Sequence, residues 1–65
     1  MGTVYFEFHA VGRSMRVAAV DADTGIEIQI VAPVTTPKPD LERLALRKLE
    51  RRLALERGGG SRGGV

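Results

Sequence analysis

The sequence predicts an α+β domain: a three-stranded antiparallel β-meander, over about residues 4–11, 15–20 and 26–32, packed on one C-terminal helix over about 37–57. Three observations carry this. Apolar and polar residues alternate from Val4 to Val11, so that Val4, Phe6, Phe8 and Ala10 share one face and Tyr5, Glu7, His9 and Val11 the other, the period of a half-buried strand. The same alternation recurs over 15–20 and 26–32, with a glycine in each connecting turn. Residues 37–57, PKPDLERLALRKLERRLALER, form the only segment with helical periodicity.

The first connection dictates register. With Gly12 and Arg13 as the central residues of a type II′ turn, which takes glycine first, Val11 faces Ser14, Ala10 faces Met15, Phe8 faces Val17 and Phe6 faces Ala19. Both apolar faces then coincide, and a slip by one residue would turn every side chain to the wrong side. The second connection, Asp21-Ala22-Asp23-Thr24-Gly25, suits a four-residue hairpin loop, with Gly25 in the left-handed region and the Asp21 carboxylate accepting from its own turn. In the third strand Ile26, Ile28 and Ile30 make the most apolar face, while Glu27 and Gln29 point away. Pro33, which has no N–H to donate, is expected to end it.

Thr36 is the expected helix N-cap, with Pro37 at the first helical position and Pro39 tolerated in the first turn. Asp40 and Glu42 near that end, and Arg51, Arg52 and Arg57 near the other, complement the helix dipole. On a 100° wheel Leu41, Ala45, Leu46, Leu49 and Leu53 fill one arc, the face expected to lie on Phe6, Phe8, Val17, Ile28 and Ile30. Leu44 and Leu55 fall outside it as a second, thinner stripe. Arg43, Arg47 and Arg51 form a solvent-side row, with Glu50 in reach of Arg47. A helix of roughly 31 Å (about 21 residues at ~1.5 Å) outruns a seven-residue strand of roughly 23 Å, so its last two turns are expected to project. Gly58 is the expected stop, which makes 1–57 one domain and 58–65 a flexible glycine-rich tail.

A chain of 65 residues buries only ~60% of the surface its unfolded form exposes, so help from self-association is expected. There is no cysteine, hence no disulfide framework and no thiolate site, which favours a cytoplasmic setting. The longest charge-free run, 28–37, contains two prolines and is far shorter than a membrane span. Glu7 interrupts the N-terminal apolar run, so no signal peptide is read there, and Phe6 stands where a myristoylation motif wants Ser or Thr. The net charge of +2 hides an asymmetry: residues 1–36 carry −2 and residues 37–65 carry +4. A slightly acidic sheet half is thus joined to a basic helical half, which fits an anionic partner or an intersubunit match.

No catalytic, cofactor or metal constellation emerges from the residues. Asp21-x-Asp23-x-Gly25 opens like a calcium loop, but Gly25 and Ala32 stand where that motif needs ligands, so it reads as a hairpin turn. His9 is the only histidine and has no Ser, Cys or second His arranged around it. The expected role is therefore a non-enzymatic interaction module. Tyr5, Val11, Ala18, Val20 and Val31 make the second sheet face more apolar than a solvated face requires. That face, the Leu44 and Leu55 stripe, or both are expected to support a homodimer or a contact with a protein partner, with Tyr5, His9, Val20, Leu44 and Leu55 as candidate contacts. The alternative is a nucleic-acid-binding accessory protein using Arg43, Arg47, Arg51, Arg57 and Arg62, the last two within RGG-like triplets. The helix also carries four acids and no aromatic stacking residue, which weighs against it.

VYFEF, VAAVDADTGIEIQIVAP and a proline-opened helix containing LERLALRKLE, in that order, resemble a family of short bacterial proteins that carries only a domain-of-unknown-function label. The resemblance covers about residues 4–53, and its most specific pieces are Asp21 to Gly25 followed by an alternating strand, and Ala45-Leu46-Arg47-Lys48-Leu49-Glu50. It implies a single β-β-β-α unit and no established activity. Similar members are sometimes labelled serine hydroxymethyltransferase, an activity that needs a large cofactor domain and a Schiff-base lysine in a deep pocket. Here Lys38 and Lys48 sit on one helix of a chain too small to enclose the cofactor. The chain departs from the family pattern at Arg51 and Arg52, where bulkier apolar residues are expected, and in its glycine tail.

Overall fold

Turn chemistry and side-chain alternation agree in this chain, and the sheet follows from both. The computed structural model describes residues 2–64, with side chains for residues 2–58. It places β1 (Val4–Val11), β2 (Ser14–Asp21) and β3 (Glu27–Pro33) in one antiparallel sheet ordered β1-β2-β3, followed by helix α1 (Lys38–Gly64). Phe6 lies opposite Ala19 and Ala19 opposite Ile28; Phe8 lies opposite Val17 and Val17 opposite Ile30. Gly12 has φ +60° and Arg13 is not positive, as a II′ turn requires.

The second hairpin is locked by its own side chains. Gly25 has φ +76°, and its N–H donates to the Asp21 carbonyl at 2.7 Å. Asp21 Oδ2 accepts from the Thr24 N–H at 3.1 Å and from its hydroxyl at 2.8 Å. Thr24 Oγ1 in turn accepts from the Ile26 N–H at 3.1 Å. Asp21 is buried, and its other oxygen, Oδ1, has no hydrogen-bond partner among the described residues.

β3 ends at Pro33, as expected, one residue past the anticipated bound. The proline is its last residue, opposite Ser14, and the ladder continues as the Val34 N–H donates to the Arg13 carbonyl at 2.8 Å. The reason lies in the alternation of an antiparallel ladder: position 33 directs its backbone away from β2, so the missing N–H breaks no bond. The helix begins one residue later than the Thr36 cap implies. The Pro37 carbonyl accepts from Asp40 and Leu41, while the Thr36 N–H donates to the Pro33 carbonyl and closes the preceding turn.

The core is one layer of helix on one face of sheet. Leu41, Ala45, Leu49 and Leu53 are buried against Val17, Ala19 and Ile28, and Val4, Phe6, Phe8, Met15, Ile26, Ile30 and Ala32 pack around them half-buried. Leu46, expected in the same arc, is only half-buried at its margin. The helix lies over β2 and β3, which leaves Phe6 and Phe8 of β1 incompletely covered. Lys38 closes part of that gap, its Nζ 4.6 Å from the Phe8 ring centroid.

After Leu53 the next positions on the core face hold Glu56 and Arg57, both exposed, so core contact stops there although the helix continues. It also continues past Gly58, the expected stop, to Gly64. Among the described residues only Gly12 and Gly25 have positive φ, so no left-handed cap forms at Gly58. Glycine permits such a cap without imposing it, and no proline follows to break the hydrogen-bond ladder. Each helical glycine still costs about 1 kcal/mol relative to alanine. The helix thus runs through Gly64; the side chains of 59–64 and residue 65, part of the expected tail, lie outside the described residues.

Leu49 is fully buried and Leu44 is 45% exposed, which separates their contributions. Leu49→Ala is expected to destabilise the fold by about 2–5 kcal/mol, a large part of the stability of so small a domain. Leu44→Ala should stay within about 0.5 kcal/mol. Urea denaturation checks both, and similar losses at the two sites would contradict the facing of the helix.

Candidate interaction surface

With the helix on one face, the other face of the sheet is bare. Register arranges it in rows: Tyr5, Val20 and Glu27; Glu7, Ala18 and Gln29; His9, Arg16 and Val31; Val11, Ser14 and Pro33. Tyr5, Val20 and Val11 lie in the end rows, while the two middle rows are mostly polar, with Val31 set beside Arg16. Tyr5 is 61% and Val31 64% exposed, and Val11 is exposed beside the first turn. Between the two ends Glu7, His9, Arg16 and Gln29 stand around Ala18 in a shallow depression of about 210 Å³. Ala18 is buried although nothing packs over this face, because the longer side chains of its neighbours screen its single methyl group.

These rows place the candidate contacts differently from one another. Tyr5 and Val20 are cross-strand neighbours at one end, and His9 lies opposite Arg16 beside the depression. Leu44 and Leu55 are on the helix, 45% and 55% exposed, away from the open sheet face. The exposed apolar residues are thus divided between the open sheet face and the helix. His9 is surrounded by Glu7, Arg16 and Gln29, a mixed-charge setting with no nucleophile beside it. Asp21 and Asp23 do not converge: Asp21 turns inward to Thr24, while Asp23 is exposed. Among the described residues no group of three or more His, Asp or Glu side chains is placed to hold a metal ion. No described helix is long and apolar enough to cross a membrane.

The basic helix face is partly neutralised by its own acids. Arg43 pairs with Asp40 at 2.8 Å and Arg52 with Glu56 at 2.9 Å. Lys48 Nζ donates to the Gln29 carbonyl of β3 at 2.7 Å. The expected Arg47–Glu50 contact does not form; the ion pairs among the described helix residues are Arg43–Asp40 and Arg52–Glu56, at i, i+3 and i, i+4 spacings. Arg47, Arg51 and Arg57 remain exposed without a described partner, and the side chain of Arg62 lies outside the described residues.

Two features were missed by reading strands one at a time. The depression around Ala18 is a product of both registers, and combining the Gly12 turn with the Asp21–Gly25 loop would have placed Glu7, Ala18 and Gln29 in one row. The Lys48 contact depends on the angle at which helix meets sheet, and no local signal carries that.

Neither Tyr5 nor Val31 packs against the core, so their side chains are free of a folding role. Tyr5→Ser and Val31→Lys are each expected to change stability in dilute solution by no more than about 0.5 kcal/mol. Thermal denaturation tests this; a loss as large as that of Leu49→Ala would mean that the face is covered within the single chain.

The sequence model of a family described as Domain of unknown function (DUF6898) matches residues 1–57. No curated protein and no solved structure matches the chain.

Proposed function

We propose that this chain, which belongs to the DUF6898 family, is a non-enzymatic interaction module that self-associates. The observation that carries the reading is the one-sided sheet. One face is closed by α1, while the other leaves Tyr5, Val11 and Val31 in solvent, in a chain too short to bury a large core by itself. Tyr5, His9 and Val20 on the sheet are the favoured contacts, with Leu44 and Leu55 on the helix as a second apolar stripe. No enzymatic role is assigned, because His9 has carboxylate, guanidinium and amide neighbours and no side chain that it could activate. A cytoplasmic setting belongs to the same proposal and rests on the absence of cysteine.

The second reading, binding of nucleic acid through the helix, is supported by Arg47, Arg51 and Arg57, which are exposed and unpaired among the described residues. The ion pairs of Arg43 and Arg52 and the engagement of Lys48 with β3 reduce the free positive surface. Phosphate contacts need several such groups acting together.

Sedimentation across a wide concentration range tests the leading reading: the mass should rise from monomer toward dimer, and a constant monomer mass would contradict it. Single-stranded RNA should not be retarded by the protein even at about 50 mM salt. Retardation that falls with salt and is lost on Arg47→Ala with Arg51→Ala would put the second reading first.

A further inference from the structure

The two edges of the sheet are not alike. Ala22 donates to the Thr3 carbonyl and Asp21 to the Ile26 carbonyl, both at 2.9 Å, and these bonds set which residues face inward along each ladder. On β1, Tyr5, Glu7, His9 and Val11 bond to β2, while the N–H and C=O groups of Val4, Phe6, Phe8 and Ala10 point to the open edge. On β3, Glu27, Gln29, Val31 and Pro33 point outward. The β3 edge is guarded: Pro33 has no N–H, its carbonyl accepts from Thr36 at 2.9 Å, and the Gln29 carbonyl accepts from Lys48 at 2.7 Å. Such proline and lysine placements are how sheets block edge-to-edge pairing. The β1 edge has no proline, and Lys38, which lies over the Phe8 ring, makes no hydrogen bond to its backbone among the described residues. Its register is unbroken over eight residues, and among the described residues nothing bonds to its outward groups.

We propose that β1 pairs antiparallel, edge to edge, with β1 of a second copy of this chain, joining the two sheets into one. This rests on the self-association proposed above and specifies its contact. The sequence of β1 selects a register with Phe8 opposite Phe8 across a two-fold axis, Phe6 opposite Ala10, Glu7 opposite His9 and Tyr5 opposite Val11. The imidazole meets a carboxylate twice, an aromatic ring meets a β-branched side chain, and a large residue meets a small one on the helix side. Rows of the open faces then run on across the seam, with Val20 and Tyr5 continuing into Val11 of the other copy. Shifting the register by two positions in one direction sets Glu7 against Glu7; a further shift the same way sets Tyr5 against Glu7. Only the first register joins apolar to apolar and charge to a complementary group throughout. About six main-chain hydrogen bonds form in it, and Phe6 and Phe8, half-covered by α1, gain neighbours.

The test compares the full-length chain with Ala10→Pro, Val31→Lys and Leu55→Lys by sedimentation. Ala10 is exposed and its N–H faces outward, so proline there removes no bond to β2 yet deletes two bonds across the seam by symmetry. Its dimerisation should weaken by at least about tenfold, and more than with Val31→Lys on the open face or Leu55→Lys on the helix stripe, the two alternative contact surfaces. Circular dichroism confirms that Ala10→Pro is folded. If it is not, a cysteine pair decides: the chain has no cysteine, and Tyr5→Cys combined with Val11→Cys should give a covalent dimer on mild oxidation, while either change alone gives little. A dimer that withstands Ala10→Pro but is lost with Val31→Lys or Leu55→Lys, or a cysteine pair that fails to cross-link, overturns the edge contact and leaves self-association standing. A parent chain that is monomeric at every concentration overturns both.

Discussion

The contact of Leu41, Ala45, Leu49 and Leu53 with Val17, Ala19 and Ile28 is the interaction from which the rest of the molecule follows. A three-stranded sheet cannot bury both of its faces with one helix, and the choice of face is made by the sequence alternation that puts the isoleucines of β3 and the small residues of β2 on the same side. Small residues at the centre matter. Ala19 and Ala45 are both fully buried, which lets helix and sheet approach closely enough for the leucines on either side to reach the strands. Bulkier side chains at those two positions would lift the helix and separate every other pair.

Two consequences extend outward from this contact. Because α1 lies over β2 and β3, Lys48 reaches the backbone edge of β3, and the chain leaving β3 turns back through Thr36 to cover the same edge. The opposite edge gets no such cover, and the aromatic residues of β1 are only partly buried. The helix also outlasts the sheet. Beyond Leu53 its core-facing positions are charged, and Arg52 pairs with Glu56 along the helix rather than across to a strand. That pair is worth a few tenths of a kcal/mol, and among the described residues the bare sheet face, the β1 edge and the thin leucine stripe are the apolar or unpaired surfaces open to contact.

How much of this was legible in the residues depends on the range of the forces involved. The β1–β2 register, the left-handed Gly25 and the Asp21 turn bonds followed from local rules, because alternation and loop geometry leave one consistent arrangement. The buried helix face followed from periodicity for Leu41, Ala45, Leu49 and Leu53, while Leu46 was placed too deep because the wheel has no knowledge of where the sheet ends. Pro33 was read by composition when its tolerance is set by ladder parity. Gly58 was read as a stop because glycine commonly takes the left-handed cap, yet a glycine compatible with both conformations does not dictate either. The arginine row was visible as a pattern, but its partial neutralisation by Asp40 and Glu56 depends on rotamers, which spacing alone does not fix. The contrast between the two sheet edges was within reach of the sequence in part, since Pro33 is visible there; the Lys48 guard was not.

The central claim is that one helix leaves a sheet with a guarded edge and an open one. Residue-resolved amide hydrogen exchange, measured in dilute and in concentrated solution, tests it most directly. Tyr5, Glu7 and His9 should be protected at both concentrations, while Phe6, Phe8 and Ala10 should exchange fast when dilute and slow down when concentrated. Equal protection of neighbouring β1 amides in dilute solution, or alternate amides that stay fast at every concentration, would contradict it.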